Sequence, residues 1–429
     1  MKYVTYKLKD ILSIKHGYPF QSENFLESGK YMVMTPGNFL EKGGFKTNQG
    51  KERYYGAPFP EEYLLHKGDL VIAMTEQTRG LLGSSVIVPE DEMLLHNQRI
   101  GLVTCDEAKV DKLFLAYLFN VSYVRNQIEN SASGTKIKHT SPEKIGEVIV
   151  RIPERIEDQQ NIASLLVALD AKIDLNSRIC AELEAMARTL YDYWFVQFDF
   201  PDEHGRPYRS SGGEMVWCQE LKKEIPKGWK MGDLYDIAEY INGLACQNYR
   251  PSEGEASLPV IKIKEMHEGI SAETELVSAN IPEKNIVEDG DILFSWSATL
   301  EAMYWAGGRG GLNQHIFKVV PKQGYPKEFV YHQISAYINH FVKMAESRKT
   351  TMGHITSDHL AQSRIVLPPI QVLTRFQALS AVAHERIIRV KKENRELTQL
   401  RDWLLPMLMN GQARVDASSE QGGINSETR

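Results

Sequence analysis

Two stretches of the chain place mostly apolar residues at alternating spacings of four and three. The first runs through Ile162, Leu166, Leu169, Ile173, Asn176, Cys180, Leu183, Ala187, Leu190 and Trp194. The second runs through Phe376, Ser380, Ala383, Ile387, Val390, Asn394, Leu397, Arg401, Leu404 and Leu408. That spacing lays one apolar stripe along a helix, and its persistence over about five heptads predicts a long coiled coil. Two core helices of an ordinary bundle are the plainer alternative. Ahead of each stripe the period changes. Short apolar runs at 70–74, 85–88 and 100–103 lie between glycines and prolines and read as strands; 112–127 reads as a helix, and 148–152 as a strand stopped by Pro153. The order recurs, with strands at 291–296 and 316–320, a helix over 328–345, and a strand at 365–367 before Pro368.

The recurrence extends to residue types. Gly68-Asp69-Leu70 answers to Gly290-Asp291-Ile292, Asn97-Gln98 to Asn313-Gln314, and Thr140-Ser141 to Thr356-Ser357. A period near 215 residues, read from these offsets, is too long for a solenoid and means two copies of one domain. The expected organisation is a head at 1–153, a helix at 154–198, a linker at 199–223, a second head at 224–368, a helix at 369–415, and a polar, disordered tail at 416–429.

The seams also suggest a direction. Asn176 is fifth of its stripe and Asn394 sixth of its own, so only an antiparallel pairing about the common centre sets amide against amide. It also sets Leu183 against Ile387 and Trp194 against Phe376, and leaves Leu169 opposite Arg401 as the poorest layer, where the arginine must snorkel. An unpaired buried amide costs about 1–3 kcal/mol, whereas two can satisfy each other. Antiparallel helices would put the heads at opposite ends.

Composition changes this picture little. The net charge of −6 argues against strong unaided binding to nucleic acid, which needs Lys and Arg on phosphates. Any such role requires local clusters of positive charge or a partner. The four cysteines are spaced for neither a metal site nor a disulfide framework, so a reducing cytoplasm is the default. No apolar run approaches the length that spans a bilayer. No metal or cofactor motif stands out. Pro201-Asp202 with Glu220-Leu221-Lys222 matches the carboxylate–lysine pattern of Mg-dependent nucleases, but its spacer is rich in Gly and Ser where that chemistry needs adjacent strands. The run Gly307-Gly308-Arg309-Gly310-Gly311 leads into a strand, not the helix a phosphate-binding loop should open. A loop approaching DNA and a simple tight turn both remain open there.

The opening KLKDIL, the KGDL and DGDI strands, HNQRIGLV at 96–103, SGTKIKHTSPEKIGEVIVRIP at 133–153 and the helix EDQQNIASLLVALDAKIDLNSRIC from 157 resemble the DNA-specificity subunit of type I restriction–modification systems. The likeness covers residues 1–415. It implies an α+β fold of two pseudo-twofold-related target recognition domains joined by two long antiparallel coiled-coil helices. It implies no catalysis by the chain itself and no cofactor. Each head would read half of a split target in double-stranded DNA. The helices, with Asn176, Leu183, Leu190, Asn394, Leu397 and Leu404 in their seam, would dock two methyltransferase subunits beside a translocase/endonuclease subunit. A nuclease using Asp202, Glu220 and Lys222, or a protein-binding scaffold, are the alternatives.

Polar loops at matching places in the heads are the binding candidates. They are Gln77, Thr78 and Arg79 with Lys136 and Lys138 in the first head, and Ser297, Thr299, Arg309, Arg348, Lys349, Thr351 and His354 in the second. Arg and Gln suit base edges, while Lys and Thr suit phosphates. Asn97-Gln98 and Asn313-Gln314 occur in both heads, so they suit a structural role better than the reading of two different half-sites.

Overall fold

The computed structural model describes residues 2–47, 50–76, 80–134, 137–297, 299–347 and 357–415. The chain divides into two compact units, Met1–Ala171 with Thr398–Arg429, and Lys172–Leu397. The division falls inside both long helices, Ile156–Tyr191 and Ile370–Asn410.

Unit 1 is built on a four-stranded sheet in the order Leu12–His16, Ile100–Cys105, Leu70–Ala73, Ser85–Ile87, all antiparallel. Its inward face carries Leu70 and Ile72 against Phe114, Leu118, Val124 and Ile128, a core into which Ile162, Leu166, Leu408 and Met409 of the long helices also pack. A five-stranded sheet of short strands, built around the parallel pair Met32–Met34 and Leu94–His96, covers the other face. Unit 2 repeats the plan. Its sheet runs Ala238–Asn242, Ile316–Pro321, Ile292–Ser295, Glu301–Tyr304, and its parallel pair is Ser257–Ile261 with Gly310–Leu312.

The helix expected over 112–127 is two, Lys112–Leu118 and Ser122–Ser131. Between them the Asn120 side chain donates to the Ala116 carbonyl and to Ser85 Oγ, both at 2.9 Å, and Val121 turns extended. A side-chain amide that satisfies the last carbonyls ends the helix that periodicity alone would continue.

Residues 199–223, read as a linker, are folded within unit 2. Met215–Cys218 pairs with Lys223–Pro226 as an antiparallel hairpin. Phe198 and Phe200 flank the Trp229 indole at 5.5 and 5.0 Å, and Phe195 meets Phe329 and Phe376 at 4.9 Å each. Low average hydrophobicity hid a few aromatics that bury large areas. The tail at 416–429 lies outside the described residues.

The long helices pair antiparallel in each unit. In unit 2, Trp194 meets Phe376 at 5.7 Å and Cys180 Sγ approaches the Ile387 carbonyl at 3.8 Å, with Leu183 packed alongside. In unit 1, Arg401 Nη1 donates to Asp170 Oδ1 at 2.8 Å, and Leu404 packs into the core beside Leu408. Leu190 joins the core of unit 2, and Leu397 is half-buried. Two expectations need correction. The asparagines do not bond to each other: Asn176 Nδ2 donates to Glu393 Oε2 at 3.0 Å, and Asn394 Nδ2 to the Ile173 carbonyl and Ser177 Oγ, both at 3.1 Å. A carboxylate one residue away, accepting a charge-assisted bond, outcompetes a neutral amide. Nor does Arg401 simply reach for water. It lies between Asp170 and Asp402, and Asp170 also accepts from the Tyr117 hydroxyl at 2.6 Å.

Candidate nucleic-acid interface

The two heads share a backbone frame. Gly68 and Gly290 both adopt left-handed φ, at +88° and +92°, where a side chain would be strained. The aspartate after each ties the turn. Asp69 Oδ2 accepts from the His66 amide at 2.8 Å, and Asp291 Oδ2 from the Glu288 amide at 2.9 Å. Lys112 and Lys327, each opening a helix, reach the carbonyls of Gly68 and Gly290 at 3.4 and 2.9 Å. These turns aim the following strands at the candidate loops.

A second shared device holds the Asn-Gln turns. A Cβ on Gly17 would lie 2.1 Å from the Asn97 carbonyl oxygen, and one on Gly243 would lie 2.0 Å from that of Asn313. The Asn97 side chain accepts from the Arg99 amide at 3.0 Å, and the Asn313 side chain from the His315 amide at 3.4 Å. The Gln98 amide donates to the Tyr18 carbonyl, and the Gln314 amide to that of Leu244. In both heads the Asn side chain and the Gln main-chain amide build the turn.

In the first head the structure brings the two candidate loops side by side. Thr75 Oγ1 and His139 Nδ1 lie 3.1 Å apart, the Glu76 amide donates to the Lys138 carbonyl at 2.9 Å, and the Thr140 amide to the Met74 carbonyl at 2.9 Å. Gln77, Thr78, Arg79 and Lys136 lie outside the described residues. Lys138 is half-buried and its ammonium pairs with Glu129. Exposed Ile137 and His139 share the ridge.

In the second head Thr299 is exposed but Ser297 is buried at 7 %, which leaves its hydroxyl little room to meet a ligand. Trp296 Nε1 donates to Asn242 Oδ1 at 3.3 Å, and its indole lies 5.6 Å from the His315 ring. Arg309 is exposed, 3.8 Å from both Glu283 and Glu288. The glycines around it serve packing. A Cβ on Gly310 would come 2.6 Å from Ile261, and one on Gly311 would come 2.5 Å from Val277. Asp289 fixes the same turn. Burial would raise its carboxyl, but the Gly308 amide, Lys392 and Arg395 hold it below the ordinary value. Arg348, Lys349, Thr351 and His354 lie outside the described residues.

Trp296 lies in the candidate stretch Ser295-Trp296-Ser297 after the second Gly-Asp strand, whereas His139 and Asn242 escaped the sequence reading. Their one visible signal was position, next to shared motifs, and side-chain direction across a strand pairing is not legible from a single chain.

Asp202 accepts from the amides of His204 and Arg206 at 2.8 Å and pairs with the Arg206 guanidinium at 3.1 Å, while Glu220 takes the Cys218 thiol at 3.4 Å. Among the described residues no group of three His, Cys, Asp or Glu could hold a metal ion. No described helix is long and apolar enough to cross a membrane.

Comparison with known proteins agrees with this plan. The profile of the type I restriction modification DNA specificity domain matches residues 1–185 and again 226–397. The specificity subunit of type I restriction enzyme HindI from Haemophilus influenzae is 25 % identical over 354 residues, covering 70 % of this chain and 76 % of its own. That of MjaIX from Methanocaldococcus jannaschii is 25 % identical over 316 residues, covering 71 % and 69 %. The crystal structure of the type I S subunit from M. genitalium aligns at a TM-score of 0.59 and 14 % identity, over 95 % of this chain and 96 % of that one, a likeness of fold. With two matched domains spanning most of its length, this chain belongs to the type I restriction–modification specificity family, the DNA-binding, non-catalytic part of such a system.

Proposed function

We propose that each head reads one half of a bipartite, asymmetric target in double-stranded DNA, and that the long helices dock two methyltransferase subunits, with a translocase/endonuclease subunit completing the complex. The observation that carries this reading is the contrast within the repeated frame. The Gly-Asp and Asn-Gln turns recur, bond for bond, while the side chains beside them differ. Equal scaffolds with unequal loops suit two reading heads with unequal half-sites. The loops carrying Gln77, Thr78, Arg79, Lys136 and Lys138, and those carrying Thr299, Arg309, Arg348, Lys349, Thr351 and His354, are the reading surfaces. A partner on the helices is supported by exposed apolar side chains there: Leu175 and Met186 on the first, and Leu379, Val382 and Trp403 on the second. The net charge of −6 makes such partners a further source of phosphate contacts.

The test is the methylated motif of cells that carry this chain with its methyltransferase. A split motif with two different halves is expected, and exchanging 1–153 for the head of another specificity subunit should change one half alone. A continuous palindrome, or a motif altered in both halves by that exchange, defeats the reading.

A further inference from the structure

The Asn-Gln turn is the same in both heads, but its third residue is not. Arg99 follows Asn97-Gln98, and His315 follows Asn313-Gln314. Both third residues hold the same post. The Arg99 carbonyl accepts the Met74 amide at 3.0 Å, and the His315 carbonyl accepts the Trp296 amide at 3.3 Å, so each turn is docked on the strand end that enters the first candidate loop. The Asn97 and Asn313 side chains are spent on the backbone, and Gln98 and Gln314 hold the turn through their main-chain amides. The third side chain is free of structural duty in the first head, whereas in the second it packs on Trp296 and lies 3.4 Å from Gln314 Nε2. Arg99 is exposed, and among the described residues its guanidinium has no hydrogen bond or ion pair. His315 is half-buried against Trp296, and its Nδ1 is buried without a partner.

We propose that this third position is a base-reading position, and that Arg99 reads a guanine in the half-site of the first head. The inference rests on the function proposed above and sharpens it. Only a residue that differs between the heads can give them different half-sites, and this one differs on a backbone that does not. A guanidinium presents two parallel N–H donors, which match O6 and N7 of guanine in the major groove. The turn is fastened at Gly17 by a backbone contact too close for any side chain, so the arginine starts from a rigid base. In the second head the tilted Trp296 and His315 rings, 5.6 Å apart, put an aromatic face at the same post, which selects a different base.

The experiment uses the full chain assembled with its methyltransferase partners, and a panel of duplexes varied one base pair at a time across both half-sites. Arg99→Ala should lower affinity for the cognate duplex on the order of 10- to 100-fold and flatten preference at a single base pair of one half-site. Arg99→Lys keeps the charge without the paired donors. It should restore part of the affinity but not the preference for guanine. His315→Ala should flatten one position in the other half-site. Melting temperature checks that each exposed-site variant is folded. Three results overturn the proposal: Arg99→Ala weakening every duplex equally, which marks a phosphate contact; Arg99→Lys restoring the guanine preference; or no change at all. If the unaltered complex shows no sequence preference on the panel, the function proposed above fails with it, which separates the two failures.

Discussion

The two heads are the same object at the level of backbone and different objects at the level of exposed side chains. Gly17 and Gly243 press against Asn97 and Asn313 at nearly equal distances, and Gly68 and Gly290 share a left-handed turn. Beside these constants, Thr75 and His139 join two loops in one head, while Trp296 lies on His315 in the other. The difference teaches where a duplicated domain is free to diverge. Positions that satisfy main-chain donors or admit no Cβ are fixed by the fold. Positions that only project from them can be spent on recognition.

The largest expected effect breaks one frame and spares the other. Gly17→Ala puts a methyl group within 2.1 Å of a carbonyl oxygen, and Gly243→Ala within 2.0 Å. Backbone cannot yield as a flexible side chain does, so each substitution should cost about 3–5 kcal/mol, at the severe end for single changes. Hydrogen exchange resolved by peptide should show loss of protection in unit 1 for Gly17→Ala and in unit 2 for Gly243→Ala. Variants that melt like the parent chain would show that the frame is not as tight as the geometry states.

A second comparison lies in the helix pair, between Arg401 in unit 1 and Asn394 in unit 2. Arg401 bonds Asp170 and Asp402 with its side chain only 22 % exposed. Arg401→Ala leaves Asp170 with the Tyr117 hydroxyl alone, and should cost about 2–3 kcal/mol, less than a fully buried pair because water reaches the site. Asn394→Ala, which removes bonds to the Ile173 carbonyl and Ser177, should cost about 1 kcal/mol. The ranking is the test, read from denaturant midpoints, and equal losses would contradict it.

These layers also mark what was legible in the sequence. The stripe of Ile162, Leu166 and Trp194 gives helix and length, because a 3–4 period needs a helix and these seam residues are buried for that reason. The antiparallel direction holds, but not through the Asn–Asn pair from which it was argued. The repeat gives the two heads, since matching Gly-Asp and Asn-Gln turns need the same backbone. The partner of each seam polar group was not legible. Glu393 sits one residue off the stripe, and no periodicity says that it will turn inward to Asn176. The same limit hid the break at Asn120, the aromatic packing of Phe198 and Phe200, and the facing of Trp296 toward His315, all decided by rotamers and by residues distant in sequence.

Acid should strain both units through buried histidines. His96 in unit 1 and His332 in unit 2 are pressed down to about 4 by burial, from an ordinary value of 6.5. The unfolded chain takes up these protons below about pH 6.5 and the folded chain only near 4, so stability that is complete above 6.5 is lost as pH falls toward 4. Between pH 7 and 5 the loss is about 2 kcal/mol for each. His384, also at about 4, adds to the loss in unit 2, while Glu328, raised by burial, opposes it because the folded form keeps its proton. His332→Phe should flatten the acid slope of unit 2 and leave that of unit 1 alone. An unchanged slope would mean that His332 is hydrated in solution.

The smallest effect on stability separates positive charge that holds the fold from charge available to DNA. Lys138 pairs with Glu129 and Arg309 with Glu283 and Glu288, all at exposed or half-exposed sites. Such pairs are worth at most about 0.5–1 kcal/mol, since water and salt screen them. Lys138→Ala and Arg309→Ala should therefore barely move the melting temperature. Their effect on DNA should be larger than their effect on folding, because a phosphate competes only with surface carboxylates, one for Lys138 and two for Arg309, and brings release of a counterion. If each contacts one phosphate, the slope of log affinity against log salt should fall by about one per substitution, with base preference unchanged in both half-sites. Lys138 sits on the ridge formed by the Thr75 and His139 loops, whereas Arg309 rises from a turn clamped by Asp289 and buried strands. That ridge joins the described ends of the two candidate loops of the first head, so Lys138→Ala should change the salt slope. If Arg309→Ala alone changes it, the DNA-facing surface of the second head includes the Gly307–Gly311 turn and that of the first head lies away from the Lys138 loop.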